Sequence, residues 1–258
     1  MSFLLAGNDK RYPALAEMLR EDGADAHILS DPDEARNAEA LLTRYPLDPE
    51  AEAAAELLPA DARIILLATQ SVDERTLAQK RTVNLMDDLV FVNENAILTA
   101  EGAIAAAMRD APFAITGEKA LVVGYGRIGR ALTEMLSGLR ARVTVASRRE
   151  CGRLAAMARG AQSVSVENLT REIPDSRLVF VASPDRILSR RELSYASRAS
   201  YIYDLSGAPY GLDLEAAREL GLNARRESAL PGRYAPESAA RAMYRAILRI
   251  WNGEAERV

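Results

Sequence analysis

The sequence predicts an α/β protein built on two parallel sheets, and three observations carry that prediction. Short apolar runs alternate with helical segments along the chain, as parallel strands joined by helical crossovers require. A glycine-rich turn, Gly124-Tyr125-Gly126-Arg127-Ile128-Gly129, follows one such run and opens a helix. The 258 residues are enough for two domains, each of roughly 100 to 150 residues and able to bury a core.

The first half opens with the apolar run 3–7 and a helical segment from Tyr12 to Glu21. Runs at 25–30, 40–45, 63–69 and 89–93 then read as further strands. Residues 31–60 contain the acidic, alanine-rich and proline-punctuated stretches DPDEARNAEA and DPEAEAAAELLPAD, so surface helices and loops are expected there. From Thr99 the pattern becomes TAEGAIAAAMRDA, a helix with Thr99 as its N-cap and Glu101 in its positive first turn, linking two domains.

The second half repeats the alternation, with strands expected near 119–123, 142–146, 162–165, 178–182, 201–204 and 223–226. Helices at 128–137, 152–158 and 213–220 fall between them. Six strands suggest a complete dinucleotide-binding domain. The tail, 236–251, aligns Ala239, Met243, Ala246, Ile247 and Ile250 on one helical stripe. Arg241, Arg245 and Arg249 fall on another face, read as solvated.

Composition narrows the function classes. With 48% hydrophobic and 27% charged residues the chain has the balance of a soluble globular protein. A net charge of -4 supplies no overall positive field for nucleic acid or an anionic membrane. The single cysteine, Cys151, has no partner for a bridge or a thiolate metal site, so a reducing, cytoplasmic setting is expected. Neither a targeting segment nor an 18-residue apolar stretch is expected, and no cysteine-histidine metal constellation is present in the sequence.

In a strand-turn-helix, the first glycine of G-x-G-x-x-G permits the tight turn. The second lets backbone approach a pyrophosphate, and the third allows close helix-strand packing. Amides at the helix start then face the phosphates. The strand at 142–147 returns at about the expected span, so the turn is read as a dinucleotide seat, with a plain structural turn or another ligand as the alternative. That next strand ends in Ser147, Arg148 and Arg149 before Glu150. A hydroxyl and two guanidiniums suit a ribose 2′-phosphate and favour NADP. In the alternative, the arginines are solvated and Glu150 reaches the ribose of NAD. Cys151 reads as a small residue at a helix start, not a nucleophile.

Ligands of open α/β sheets lie beyond the carboxyl ends of the strands, which draws attention to Ser183-Pro184, to 204–211 and to 229–236. For Asp204, catalysis and structural hydrogen bonding are both open. At the mouth of the first strand, Asp9, Lys10 and Arg11 read either as contacts for an anionic substrate or as a hydrophilic loop. The only histidine, His27, falls inside an apparent strand and reads as structural, which argues against a histidine proton carrier.

The stretches AILTAEGAIAAAMRDAPFAITGEKALVVGYGRIGRAL, YIYDLSGAPYGLD and ALPGRYAPESAARAM together resemble the A subunit family of dipicolinate synthase, which is involved in spore formation. The opening AGNDKRY is similar to that family's amino-terminal glycine-aspartate-x-arginine pattern. The resemblance covers most of 89–250 and the first thirty residues, while 31–88 match poorly. Its specificity lies in the combination of T-x-E-G, the glycine turn, D-L-S-G-x-P and L-P-G-x-x-A-P.

The resemblance implies two Rossmann-like domains joined by crossing helices, one at 99–110 and one at 237–251. Residues 1–98 with 237–258 would form a substrate-side domain, and 99–236 the dinucleotide-binding domain. It also implies that a cyclic dihydrodipicolinate, or its hydrated precursor, loses a hydride to NADP or NAD and a proton to a base. A flavoprotein second subunit is implied as partner. Carried onto this chain, Gly124, Gly126 and Gly129 hold the pyrophosphate and Ser147 with Arg148 reads the adenosine ribose, with Tyr125, Arg127, Ile128, Arg149, Ser183 and Pro184 also at the cofactor. Asp9, Arg11, Thr99, Ser206 and Arg233 face a small dicarboxylate substrate, and Asp204 or Glu101 accepts the proton. The alternatives are an NADP-dependent oxidoreductase of another small carboxylated substrate and a non-catalytic nucleotide-binding subunit. A homo-oligomer is the general expectation for a soluble enzyme.

Overall fold

The computed structural model describes residues 1–68, 77 and 80–253. Thr69, the end of the expected run 63–69, and residues 254–258 of the expected amino-terminal domain lie outside the described residues. The chain divides into two compact units, Met1–Asn95 with Pro231–Val258, and Ala96–Leu230.

The first unit holds strands β1 (Ser2–Ala6), β2 (Asp25–Ile28), β3 (Ala40–Arg44), β4 (Arg63–Leu67) and β5 (Arg81–Asn84) in the order β2-β1-β3-β4-β5. Every pairing is parallel. The order reverses between β1 and β3, a topological switch point. β1 reads as an unbroken apolar run because both of its faces are covered. Phe3 and Leu5 join Leu42 and Ile65 in a core with Tyr12, Leu15 and Leu19 of the helix Tyr12–Glu21 and with Met243 and Ile247 of the helix Pro236–Asn252. Leu4 and Ala6 face the other way, onto Leu41, Ile64 and Leu66 and the alanines Ala51 and Ala54 of the helix Pro49–Leu57. Complete burial of each large side chain contributes about 1.5–3 kcal/mol. The Pro49–Leu57 helix starts where Asp48 accepts a hydrogen bond from the Ala51 amide at 2.8 Å. The expectation of a helix in this acidic stretch therefore holds, with its alanine face turned inward.

The expectation of a strand at 89–93 is wrong. These residues begin the helix Leu89–Asp110, and β5 is instead Arg81–Asn84, a strand with a single apolar side chain. The N-cap is Asp88, whose Oδ1 accepts from the Phe91 amide at 2.6 Å. Thr99 is thus buried in mid-helix, and Glu101 lies well past the first turn. Local β-branching at 89–93 yields to a longer helical period: Val92, Ala96, Ala100, Ala103 and Ala107 form one buried stripe. The helix is also long and apolar enough, by length and composition, to cross a membrane, contrary to the expectation of no such stretch. Half of it is buried inside the protein and it carries Glu94 and Glu101, as suits a core helix.

The tail arginines are not a solvated row. Arg249 forks onto Asp88 at 2.8 and 2.9 Å, and Arg245 donates to Glu94 at 2.7 Å, while Arg241 is exposed. Burial pushes the Asp88 carboxyl up, but the Arg249 and Phe91 hydrogen bonds outweigh it and hold the group below the ordinary carboxylate range.

The second unit holds β6 (Lys119–Val123), β7 (Arg142–Ala146), β8 (Gln162–Val164), β9 (Leu178–Val181), β10 (Tyr201–Asp204) and β11 (Asn223–Arg226) in the order β11-β10-β9-β6-β7-β8, all parallel. Numbered within the unit this is 3-2-1-4-5-6, the dinucleotide-binding order, with its switch point between β6 and β9. Leu121, Val123, Val179, Val181 and Ile202 face one core with Leu169, Ile173 and Ala216. The alternate residues Ala120, Val122, Leu178 and Phe180 are buried on the opposite face.

Candidate functional site

The glycine turn sits at the carboxyl end of β6, at the switch point of the second unit. Gly124 has φ +101°, a left-handed conformation that a side chain would strain. A Cβ there would also stand 3.0 Å from the backbone of Ala182. The Gly124 amide donates to Ala146 at 2.9 Å, and the Ala182 amide donates to Val123 at 2.8 Å, so the turn is fastened to both neighbouring strands. At Gly129 a Cβ would lie 2.1 Å from the Gly124 carbonyl oxygen, which is how closely the helix Arg127–Gly138 meets the turn. Gly126 is different: nothing lies within 4 Å of the position a Cβ would take. It caps the helix without any side-chain hydrogen bond, so the positive end of a 12-residue helix is left open at backbone level. Arg127 is exposed and Ile128 half-buried there. Tyr125 is buried, and its hydroxyl donates to the Ala155 carbonyl at 3.5 Å. Its side chain therefore braces the turn against the helix Glu150–Met157 rather than facing a phosphate.

Beyond β7 the chain turns at Ser147, Arg148 and Arg149. Ser147 is buried and its hydroxyl donates to the Arg149 carbonyl at 3.4 Å. Arg153 donates to the carbonyls of Ser147 and Arg148 at 2.8 and 2.9 Å and fixes the turn from behind. At Gly152 a Cβ would stand 2.8 Å from the Ser147 hydroxyl oxygen, so the start of the Glu150–Met157 helix packs closely against this turn. Arg148 is exposed and forms an ion pair with Asp185, which also accepts from the Ser183 hydroxyl at 3.2 Å. Arg149, Glu150 and Cys151 are exposed, as is Pro184. The expected cofactor residues therefore share one rim, the carboxyl ends of β6, β7 and β9.

Asp204 ends β10 with no exposed surface. Its Oδ1 accepts from the Ser206 amide at 3.0 Å and from the Ser206 hydroxyl at 2.6 Å, and that hydroxyl accepts from the Gly211 amide at 2.8 Å. Arg226 Nε lies 3.6 Å from Asp204 Oδ2, and the Arg226 guanidinium lies over the Tyr210 ring at 3.3 Å. Gly211 has no room for a side chain, with the Ser183 carbonyl oxygen 2.3 Å from where its Cβ would be. This geometry favours the structural reading of Asp204: the carboxylate folds the 205–211 loop over the strand ends. Glu101, by contrast, is exposed on its helix.

At the corresponding rim of the first unit, Gly7 has φ +102° and the helix Tyr12–Glu21 follows. Arg11 is buried and donates through Nε and Nη2 to Asp9 at 2.8 and 2.6 Å. Burial pushes the Asp9 carboxyl up, and the bonds and charge of Arg11, with the charge of Arg44, outweigh it and hold it low. Arg11 is thus engaged by its neighbour and not presented as an open fork. The buried Tyr12 hydroxyl has no hydrogen-bond partner among the described residues, and burial pushes its ionisation up. Asn8, Lys10, Pro13 and Asp48 line an open cleft here. Arg233 is exposed and lies over the Tyr234 ring at 5.5 Å. His27 sits on β2 between Asp25 and Glu34, at 3.7 and 3.3 Å, as a structural residue would. Among the described residues no group of carboxylates, histidines and cysteines is placed to hold a metal.

Sequence reasoning missed Asp185, Arg153 and Arg226. Asp185 and Arg226 follow or end strands of the same sheet, so proximity to a strand's carboxyl end was the signal that could have found them.

No family model matches the sequence, and neither does any curated protein. Solved structures do match. The chain is similar to the A subunit of dipicolinate synthase from Bacillus halodurans, with TM-score 0.85 and 20% identity over 96% of this chain and 97% of that one. The counterpart of that protein from Bacillus subtilis gives TM-score 0.83 and 21% identity over 98% and 96%. The apo-structure of D-lactate dehydrogenase from Escherichia coli gives TM-score 0.73 and 16% identity over 98% and 97%. The resemblance read from the sequence thus extends to the fold of nearly the whole chain, a two-sheet α/β architecture that 2-hydroxy acid dehydrogenases share.

Proposed function

We propose that this protein is a nicotinamide-dinucleotide-dependent oxidoreductase of the dipicolinate synthase type, acting on a small cyclic dicarboxylate. The observation that carries the reading is the division of labour among three glycines: Gly124 turned left-handed, Gly129 packed against it, and Gly126 open at a helix start. Together on the switch point of a 3-2-1-4-5-6 sheet, these are the three features that pyrophosphate binding requires. When bound, a nicotinamide supplies a two-electron hydride acceptor.

The protein's own part is binding and orientation. The amides opening Arg127–Gly138 meet the pyrophosphate, and Ser147 with Arg148 meets the adenosine ribose, with NADP favoured by the guanidinium. Asp204 positions the 205–211 loop through Ser206. Exposed Glu101 takes the proton that leaves with the hydride, and Arg233 takes a substrate carboxylate. A spore-forming setting and a flavoprotein partner are what the same resemblance implies, and the single cysteine, Cys151, suits a reducing, cytoplasmic setting. A second reading, a nucleotide-binding subunit without turnover, is favoured by one observation: the Asp204 carboxylate is buried and held by its own loop.

The test is titration with NADPH and NADH by nicotinamide fluorescence, for the wild type and Arg148→Ala, followed by oxidation of dihydrodipicolinate. Binding that favours NADPH, with a loss of about tenfold in the variant for one charge-assisted phosphate contact, is the expected result. Absence of binding by either cofactor contradicts the proposal, and binding without turnover selects the second reading.

A further inference from the structure

Resting on that reading of the cofactor site, we propose that Asp185 sets the choice between a ribose 2′-phosphate and a ribose 2′-hydroxyl, by competing with the phosphate for the guanidinium of Arg148. Arg148 follows β7 and Asp185 follows β9, strands that flank β6 on either side, so their side chains meet beyond the strand that bears the glycine turn. Both ends of this ion pair are held. Arg153 anchors the carbonyls of Ser147 and Arg148, and the Ser183 hydroxyl donates to the same Asp185 oxygen that Arg148 uses.

An arginine that reads a phosphate must offer its fork to the phosphate oxygens. Here part of that fork is already matched by a carboxylate of the same charge sign as the incoming group. A dinucleotide with a 2′-phosphate has to displace Asp185 and then sits beside its negative charge. One with a 2′-hydroxyl leaves the pair intact. Asp185 therefore lowers affinity for the phosphorylated cofactor selectively, and Arg148 raises it. Both ends of the pair are about half exposed, at 60% and 48% of their side-chain surface, so solvent limits the effect to a change in ratio of several-fold rather than a complete switch.

The experiment measures dissociation constants of NADPH and NADH for the wild type, Asp185→Asn, Arg148→Met and the double variant, at one fixed salt concentration. Thermal melting confirms that each variant is folded. Asp185→Asn is expected to tighten NADPH about fivefold while leaving NADH within about twofold, and in the Arg148→Met background the same change should give no gain. An unchanged NADPH:NADH ratio overturns the inference while leaving the cofactor reading intact. So does weakened NADH binding with NADPH unaltered, which would make Asp185 an acceptor for ribose hydroxyls. Failure of the wild type to bind either dinucleotide removes the cofactor reading and this inference with it.

Discussion

The two units begin their sheets' switch points in nearly the same way and finish them differently. β1 ends in Gly7 at φ +102° and β6 ends in Gly124 at φ +101°, and a helix follows each. In the second unit the space after the turn is kept clear, with nothing within 4 Å of the position a Gly126 Cβ would take. In the first unit a carboxylate already occupies the helix start: Asp9 Oδ1 accepts from the Arg11 amide at 3.0 Å while Asp9 also holds the Arg11 guanidinium at 2.8 and 2.6 Å, and the Asp48 carboxylate lies 3.0 Å from where a Gly7 Cβ would be. A strand-glycine-helix corner is therefore not by itself a phosphate seat. What differs between the two corners is that a carboxylate already takes a backbone amide at the helix start of the first unit, as Asp9 does, and none does so at Gly126.

The largest expected effect tests the packed glycine. Gly129→Val forces a side chain into the Gly124 carbonyl at 2.1 Å and should cost at least about 3 kcal/mol, at the upper end of overpacking. Circular-dichroism melting would detect it, and a variant that melts like the wild type would break the packing half of the contrast.

Next comes the filled corner. Asp9→Ala leaves buried Arg11 without its carboxylate, at a cost of about 3–5 kcal/mol, read by urea unfolding at pH 7, with dinucleotide binding retained. The pH dependence follows from the depressed Asp9 pKa. Its stabilisation is present above the unfolded value of about 3.9 and is lost as pH falls through the folded value, so the gap between wild type and variant should close below about pH 4. A gap that persists unchanged at pH 3 would show that the pair's charge is not what stabilises this corner.

A smaller effect sharpens the role of Asp204. Ser206→Ala removes the hydroxyl that joins Asp204 to the Gly211 amide, for about 1–2 kcal/mol of stability. If Asp204 orders the loop, reduced turnover in this variant should be independent of pH. A shifted pH profile would return Asp204 to acid-base chemistry.

Much of this architecture is written in local patterns. The second unit's inner strands, β6, β7, β9 and β10, fall within a residue of the expected runs, because parallel strands covered on both faces need near-continuous apolar residues, and the glycine spacing locates the open helix end. Other features depend on partners far apart in sequence. Asp88 gains its meaning from Arg249, and the tail arginines look solvated until the start of Leu89–Asp110 is placed beneath them. The β-branched run at 89–93 and the polar strand Arg81–Asn84 mislead a local reading because tertiary covering, not local propensity, decides both. The Arg148–Asp185 pair is equally invisible locally, since it joins the ends of two strands that lie on opposite sides of a third.

The most direct measurement of the central contrast is backbone hydrogen-deuterium exchange with and without saturating NADPH, read at both corners. Protection at residues 124–130 and 147–149 with none at 7–15 is the expected result. Protection at 7–15 instead, or at neither corner, would contradict the assignment of the open glycine turn as the dinucleotide seat.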